Sequence, residues 1–312
     1  MINGIKRLRF AVEDLDKTRD YLDDFGLRAI TSDEEGVLAY ELHNGSQVWV
    51  YPLDHPGLPQ PFEQGSTLRQ LTWAVNREQD LQVLANNLKD EPGFEFDGHT
   101  VSCFDPNGMH LQFEVMRLTT DANQISPATN QYGCINRVDE PSPVYEKADP
   151  LSIGHVVFFT PELERVTEFY KQKLGFYLSD AYVDRGAFMR CSSRGWHHDL
   201  FLLKLPNREQ PGLNHVAFVV RDLHEVIGGG LNMNKKGWDS FIGPGRHPVS
   251  SAYFWYVHSP LGGAFEYYTN DDYLTPAWQP RTFEYAIELF TEWAVDKGID
   301  PETRRQVKTE LS

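Results

Sequence analysis

The chain has 312 residues, 40% hydrophobic and 13% aromatic, enough for one large domain or two of ordinary size with separate cores. Its formal net charge of -16, with no run of Lys and Arg, sets aside nucleic-acid phosphates and anionic membrane surfaces as partners. No apolar stretch is long enough for a signal peptide or a bilayer span, so a cytoplasmic globular enzyme is expected; Cys103, Cys134 and Cys191, an odd count without a C-x-x-C pair, read as free thiols.

Along the chain, residues 5–12 read as a strand, and the charged, periodic stretch 15–25 reads as an amphipathic helix ending at Gly26. Short alternating runs at 37–42 and 47–51 follow as strands. Residues 71–75 are a further strand and 80–88 a helix, and the turn Asp105-Pro106-Asn107-Gly108 leads into a strand at 111–115. Residues 119–150 are rich in Asn, Ser, Thr and Pro and lack periodicity, which is linker composition; the boundary is placed near Ala148.

The same order then repeats. Residues 153–159 give a strand and 163–174 a helix ending at Gly175, with strands at 187–190 and 199–203. Residues 215–220 give a strand and 223–233 a helix, and Ser259-Pro260-Leu261-Gly262 turns into a last strand at 264–268. Each unit is a strand, a helix and three strands, so the fold class is α+β: four βαβββ units forming two pseudo-symmetric domains, 1–118 and 149–272, joined by a 119–148 linker and followed by a tail, 273–312. Gly228-Gly229-Gly230 lacks the Lys-Ser/Thr of a phosphate loop and is expected to be a flexible turn. In the tail, Phe283, Ala286, Ile287, Phe290, Trp293 and Ala294 have helical spacing, predicting an amphipathic helix packed on the C-terminal domain or a neighbouring subunit.

Chemistry emerges when the halves are compared position by position. His155 and His215 lie on the first strands of the two C-terminal units, and Glu266 on a last strand; their counterparts in the first half are Arg7, Gln70 and Gln112. A single histidine on an apolar strand is more often a satisfied core residue than a ligand. Two imidazoles and a carboxylate at matching positions of repeated units instead make a facial triad with open positions for Fe(II) or Mn(II), whereas an arginine and two amides cannot.

The spacing His155, His215, Glu266, together with Gly245-Arg246-His247 and the run from Tyr256 through Ser259-Pro260-Leu261-Gly262 to Glu266, resembles the type I extradiol catechol dioxygenases of the vicinal oxygen chelate, or glyoxalase/bleomycin resistance, superfamily. The resemblance covers nearly the whole chain and implies two glyoxalase/dioxygenase-like domains, of which only the second binds metal. It implies His155, His215 and Glu266 as ligands of iron, with manganese also accepted, and His198 as the histidine that serves bound oxygen. His197 competes for that role, and His198 is favoured because Asp199 follows it directly. His247 and Tyr256 match residues that contact the substrate. Trp255 and Ser259 depart from the family pattern, where an aliphatic residue and Asp are usual, so an altered pocket shape is expected. The implied partners are a catechol and O2, and the implied assembly is a homo-oligomer.

Those roles suit the residue types. Chelation lowers the pKa of a catechol hydroxyl and brings the ring beside O2; a histidine can take and return a proton, and a tyrosine hydroxyl can stabilise oxyanion charge. The product would be a muconic semialdehyde. Arg190, Arg194, Trp196 and Tyr253 are further candidates for the pocket wall. The competing readings are a glyoxalase-like isomerase, which needs four ligands and no His198, His247 and Tyr256 group, and a metal-free ligand-binding protein, which needs no triad.

Overall fold

The computed structural model describes residues 1–119 and 129–305. The first half contributes β1 (Ile2–Val12), α1 (Leu15–Phe25), β2 (Arg28–Ile30), β3 (Leu38–Glu41), β4 (Gln47–Pro52), β5 (Thr67–Val75), α2 (Glu78–Leu88), β6 (Glu95–Phe96), β7 (Thr100–Phe104) and β8 (His110–Val115). Its strands form one sheet in the order β2-β3-β4-β1-β5-β8-β7-β6. The second half contributes β9 (Ser152–Phe159), α3 (Leu163–Gln172), β10 (Tyr177–Tyr182), β11 (Gly186–Arg190), β12 (Gly195–Trp196), β13 (Leu200–Leu203), β14 (Gly212–Val219), α4 (Leu223–Lys235), β15 (Ser240–Arg246), β16 (Tyr253–His258) and β17 (Ala264–Thr269). Apart from the short strand β12, which lies outside this sheet, these repeat the first order as β10-β11-β13-β9-β14-β17-β16-β15. Four βαβββ units are therefore present, paired through antiparallel β1–β5 and β9–β14.

Local chemistry sets the helix ends. The Asp14 carboxylate accepts from the Lys17 N–H at the start of α1, and Gly26 closes it in the left-handed conformation. The helices lie between the sheets and share one core. From α1, Phe25 stacks on Tyr267 with centroids 4.0 Å apart, and Tyr21 meets Trp238 edge-on at 5.0 Å. On the other side of the pseudo-dyad, Trp73 meets Phe176 at 5.1 Å, and the Tyr170 hydroxyl donates to Asp105 at 3.0 Å. With one face of each sheet committed to this core, chemistry is left to the opposite face.

Three expectations are corrected. Gly228, Gly229 and Gly230 are not a flexible turn: they lie inside α4. A Cβ on Gly230 would stand 2.0 Å from Trp255 Cδ2, so the missing side chains let the helix sit on the indole. Trp255 accordingly faces the helix, fully buried, its Nε1–H donating to Ser240 at 2.7 Å, and the pocket shape it was expected to change is on the other side of the strand. The unusual Ser259 keeps the local turn bond, accepting from the Leu261 N–H at 3.1 Å.

The third correction concerns the tail, which is not a long amphipathic helix. It forms β18 (Tyr273–Leu274), β19 (Arg281–Phe283), a four-residue helix α5 (Ile287–Phe290) and β20 (Trp293–Asp296). Strand β19 adds to one edge of the second sheet beside β10, and β20 to the opposite edge beside β15. The ten residue steps from Phe283 to Trp293 reach at most about 35 Å, so the sheet curls until the tail can cross its open side. Sheet edges offered the tail more hydrogen-bond partners than a lone short helix could make for itself. Of the expected linker, the described residues 129–148 carry an isolated Gln131–Cys134 bridge and no named helix or strand, and Ala148 is buried. Cys103, Cys134 and Cys191 are free.

Candidate metal centre and its pocket

Ala217 on β14 is the floor of the site. It pairs with His155 on β9 at one side and Glu266 on β17 at the other, while His215 lies two residues earlier on the same face. Pleating aims all three side chains at one point. His155 Nε2 and His215 Nε2 are 3.3 Å apart, and they stand 3.3 and 3.2 Å from Glu266 Oε2. The first half repeats this register, with Thr72 between Arg7 and Gln112 and Gln70 two residues earlier, so the counterparts read from sequence are structural counterparts.

Electrostatics prepare these groups for a cation. Burial pushes the His155 imidazole down to about 4, so it is neutral at pH 7. Burial alone would raise the Glu266 carboxyl, but His155, His215 and His247 hold it well below the usual range. Its Oε2 is buried without a hydrogen-bond partner, an arrangement that costs stability unless something positive sits there. Donors about 2.1 Å from a six-coordinate ion and at right angles to each other stand about 3.0 Å apart, close to the spacing found. The residues fit a divalent metal.

His198 leans on this triad, its ring centroid 4.1 Å from that of His155, and it lines the cavity in front. His197 lies behind it, with Nδ1 3.1 Å from His198 Nδ1 and Nε2 3.0 Å from Asp180. Although burial opposes ionisation, His197 and the Arg281 guanidinium keep Asp180 below the ordinary carboxylate range. A carboxylate only accepts, so His197 Nε2 carries its proton and Nδ1 is left to accept from His198 Nδ1–H. Burial holds His198 well below its usual pKa, so it is neutral, with Nε2 bare.

On the far side, Nδ1–H of His247 donates to the Phe290 carbonyl at 2.6 Å, which leaves Nε2 facing the Tyr256 hydroxyl at 3.1 Å. Burial first, then the Glu266 charge, raises the Tyr256 pKa well above its normal value, so the phenol stays protonated. Between these groups lies a cavity of about 240 Å³, near the lower end of small-molecule sites. Phe188, Phe201, Tyr182 and Phe241 form its walls, and Tyr285, Leu289 and Phe290 of the tail its cover.

Residues 152–267 match the Glyoxalase/Bleomycin resistance protein/Dioxygenase superfamily. Over 226 residues the chain is 32% identical to metapyrocatechase 2 of Cupriavidus necator, covering 70% of this chain and 67% of that protein. It is 25% identical over 228 residues to a manganese-dependent 2,3-dihydroxybiphenyl 1,2-dioxygenase of Geobacillus genomosp. 3, covering 67% and 69% of the two chains. The chain belongs to the type I extradiol dioxygenases. In fold it also superposes on the Mn(II)-bound glyoxalase of Novosphingobium aromaticivorans with a TM-score of 0.74 at 20% identity, covering 100% of this chain and 96% of the other.

Not every expected residue reaches the pocket of this extradiol dioxygenase. Arg190 is turned to Ser179 at 3.0 Å, Arg194 and Trp196 are exposed, and Tyr253 packs toward Trp293. Sequence reasoning missed Asp180, Asp271 and Tyr268. Asp271 lines the cavity and accepts from the His197 N–H at 3.0 Å; burial raises its pKa well above the carboxylate range, and its Oδ1 has no partner. Tyr268 stands 4.9 Å from the His155 ring, where a Cβ on Gly154 would come within 2.0 Å of its hydroxyl. The Gly154-His155 pair was a usable signal, because that strand needed its glycine beside the ligand; nothing local marked the two aspartates. Among the described residues no helix is long and apolar enough to cross a membrane.

Proposed function

We propose that this ring-cleaving dioxygenase works with Fe(II) held by His155, His215 and Glu266, opening a catechol-type diol with O2 beside its hydroxyls to a muconic semialdehyde-type product. The observation that carries this reading is the convergence of two buried imidazoles on Glu266 Oε2, which has no hydrogen-bond partner, at the inner end of an aromatic cavity. A bound divalent ion would supply chelation of both diol oxygens, a lowered hydroxyl pKa and a position for O2 beside the ring. One carboxylate against a divalent charge leaves the centre net positive, which favours a diol arriving as its anion.

The chain's own groups do the rest. Bare Nε2 of His198 accepts a proton from substrate and returns it as the ring opens, and the Arg281, Asp180 and His197 line keeps that nitrogen turned inward. The Tyr256 hydroxyl, 3.1 Å from His247 Nε2, can swing its proton from that nitrogen toward oxygen that gains negative charge. Phe188 and Phe201, stacked with centroids 3.9 Å apart, make the wall beside the ring and exclude water from it. In this reading residues 149–272 are the catalytic domain, residues 1–118 a domain without metal, 119–148 the connection and 273–312 a tail whose Tyr285, Leu289 and Phe290 cover the pocket, in a cytoplasmic homo-oligomer.

The test is metal analysis of anaerobically purified protein, followed by an oxygen electrode during addition of catechol, 3-methylcatechol, homoprotocatechuate and 2,3-dihydroxybiphenyl. About one iron per chain, as one triad requires, with O2 uptake on a diol supports the proposal. Equal uptake with manganese alone would replace iron in it. Bound metal without uptake on any diol would shift the reading to a metal-dependent isomerase.

A further inference from the structure

The cavity has two chemically distinct ends. At the inner end stand the triad, His198, His247 and Tyr256. At the outer end stand Arg185 and Lys204, the cavity's two Lys/Arg side chains. The Lys204 N–H donates to the Arg185 carbonyl at 2.8 Å, so the turn after β10 and the end of β13 bring both residues to one rim, where Lys204 also borders the neighbouring groove over α3. Neither forms an ion pair among the described residues, in a chain whose net charge is -16. The guanidinium of Arg185 lies 5.4 Å from the ring centroid of Tyr285, a contact that fixes it without neutralising it.

The strand sets the spacing. Leu200 pairs with Val156, next to His155, and Lys204 follows four residues later, about 13 Å along at about 3.3 Å per residue. The wall between is apolar: Val157, Phe188, Phe201 and Leu203. A single diol ring against the triad leaves the outer part of that length unfilled. An occupant matching both ends has a diol at one end, an apolar arm or second ring in the middle, and an anion at the other.

Resting on the dioxygenase reading, we infer that the substrate is a catechol with a carboxylate-bearing side arm, and that Arg185 and Lys204 select it by binding that carboxylate. A planar guanidinium beside an ammonium suits the two oxygens of a carboxylate.

The experiment compares catechols carrying a propionate arm at ring position 3 or 4 with their methyl esters, which are similar in shape but uncharged. The iron-loaded enzyme should prefer at least one carboxylate over its ester in kcat/KM by about tenfold or more, and the preference should shrink as salt rises. In the double variant Arg185→Met, Lys204→Met the ratio should fall to within about threefold, and in Lys204→Glu a catechol with an aminoethyl arm should overtake the carboxylate. A wild-type ratio near one, or a ratio unchanged in the double variant, overturns the inference while leaving ring cleavage intact.

Calorimetry with 3-phenylpropionate and 3-phenylpropanol, neither of which has a diol, separates the two claims. If no catechol consumes O2 but 3-phenylpropionate binds more tightly than the alcohol and loses that advantage in the double variant, the dioxygenase reading falls and the carboxylate site stands. Equal binding of acid and alcohol counts against the site whatever the turnover.

Discussion

The outer faces of the two sheets differ in what fills them, although their strand order and register agree. In the second sheet Ala217 and Ala264 stand beside the ligands, and their small side chains leave room for a metal and a ring. In the first sheet the same places hold Thr72 and His110. The Thr72 hydroxyl donates to Gln112 at 3.2 Å, Gln70 and His110 bond to each other at 3.1 Å, and Arg7 lies over Trp49 at 5.2 Å with Gln47 as a further partner. Among the described residues, the first face fills its space with polar side chains bonded to one another and leaves only neutral or cationic atoms such as Gln70 Oε1 and Arg9 Nε unpartnered, whereas on the second the unpartnered atoms include a carboxylate oxygen, Glu266 Oε2. One backbone thus yields a filled face and a reactive one, and the choice rests on a few side chains.

The largest effect should come from breaking the reactive face. Glu266→Gln removes the only negative charge of the triad, so bound metal should be lost and kcat/KM should drop on the order of 1000-fold, with the far-ultraviolet circular dichroism unchanged. Its counterpart Gln112→Ala should leave metal content unaltered. Full metal retention in Glu266→Gln would remove that carboxylate from the site.

Next in size are the histidine and the line behind it. His198→Phe should keep its metal and lose about 100-fold or more in kcat, as expected for removal of a proton carrier. Asp180→Asn leaves His198 in place but releases the preference for one tautomer of His197, so a loss of about ten- to hundredfold is expected, again with metal retained. If Asp180→Asn were as active as the parent while His198→Phe was not, the imidazole would be positioned by packing on His155 and Phe188 alone.

Repetition was the most legible feature of the sequence, because each βαβββ unit carries its own periodicities and turn residues, and comparing units singled out His155, His215 and Glu266 before any contact was known. Of the two adjacent histidines, His198 lines the cavity and His197 lies behind it. The failures share a cause. Gly228, Gly229 and Gly230 read as a turn because the reason for them, the Trp255 indole, is on a strand two elements away. The tail read as a helix because Phe283, Ile287, Phe290 and Ala294 do have helical spacing, while the sheet edges that capture β19 and β20 exist only in the folded chain. Asp180 was invisible because its partners, His197 and Arg281, meet it only through tertiary structure.

The glycines sharpen the comparison further. Counted from the helix starts Asp222 and Arg77, Gly230 of α4 corresponds to Ala85 of α2. Helix propensity alone would make Gly230→Ala stabilising by about 1 kcal/mol. The 2.0 Å approach to Trp255 reverses the sign, and a net cost of about 1–3 kcal/mol is expected from urea unfolding. The reverse change, Ala85→Gly, should cost only about 1 kcal/mol, the propensity term. A stabilised Gly230→Ala variant would mean that the indole moves aside freely.

The smallest effect tests the filled face through acid. Burial, with the nearby Arg9 charge, pushes His110 down from 6.5 to about 4. Between those values the unfolded chain takes up a proton that the folded chain refuses, so stability that is intact above pH 6.5 is lost progressively as pH falls through about 4. In His110→Gln the amide can keep a hydrogen bond to Gln70 but does not titrate. Urea unfolding of metal-free protein at pH 7 and pH 4.5 should therefore show a smaller acid loss in the variant, by about 1–2 kcal/mol after allowing for partial solvent screening. His155, held to about 4 in both proteins, contributes equally and cancels. Identical losses would mean that His110 is protonated within the fold, and that the first face has room for a charge its side chains were taken to exclude.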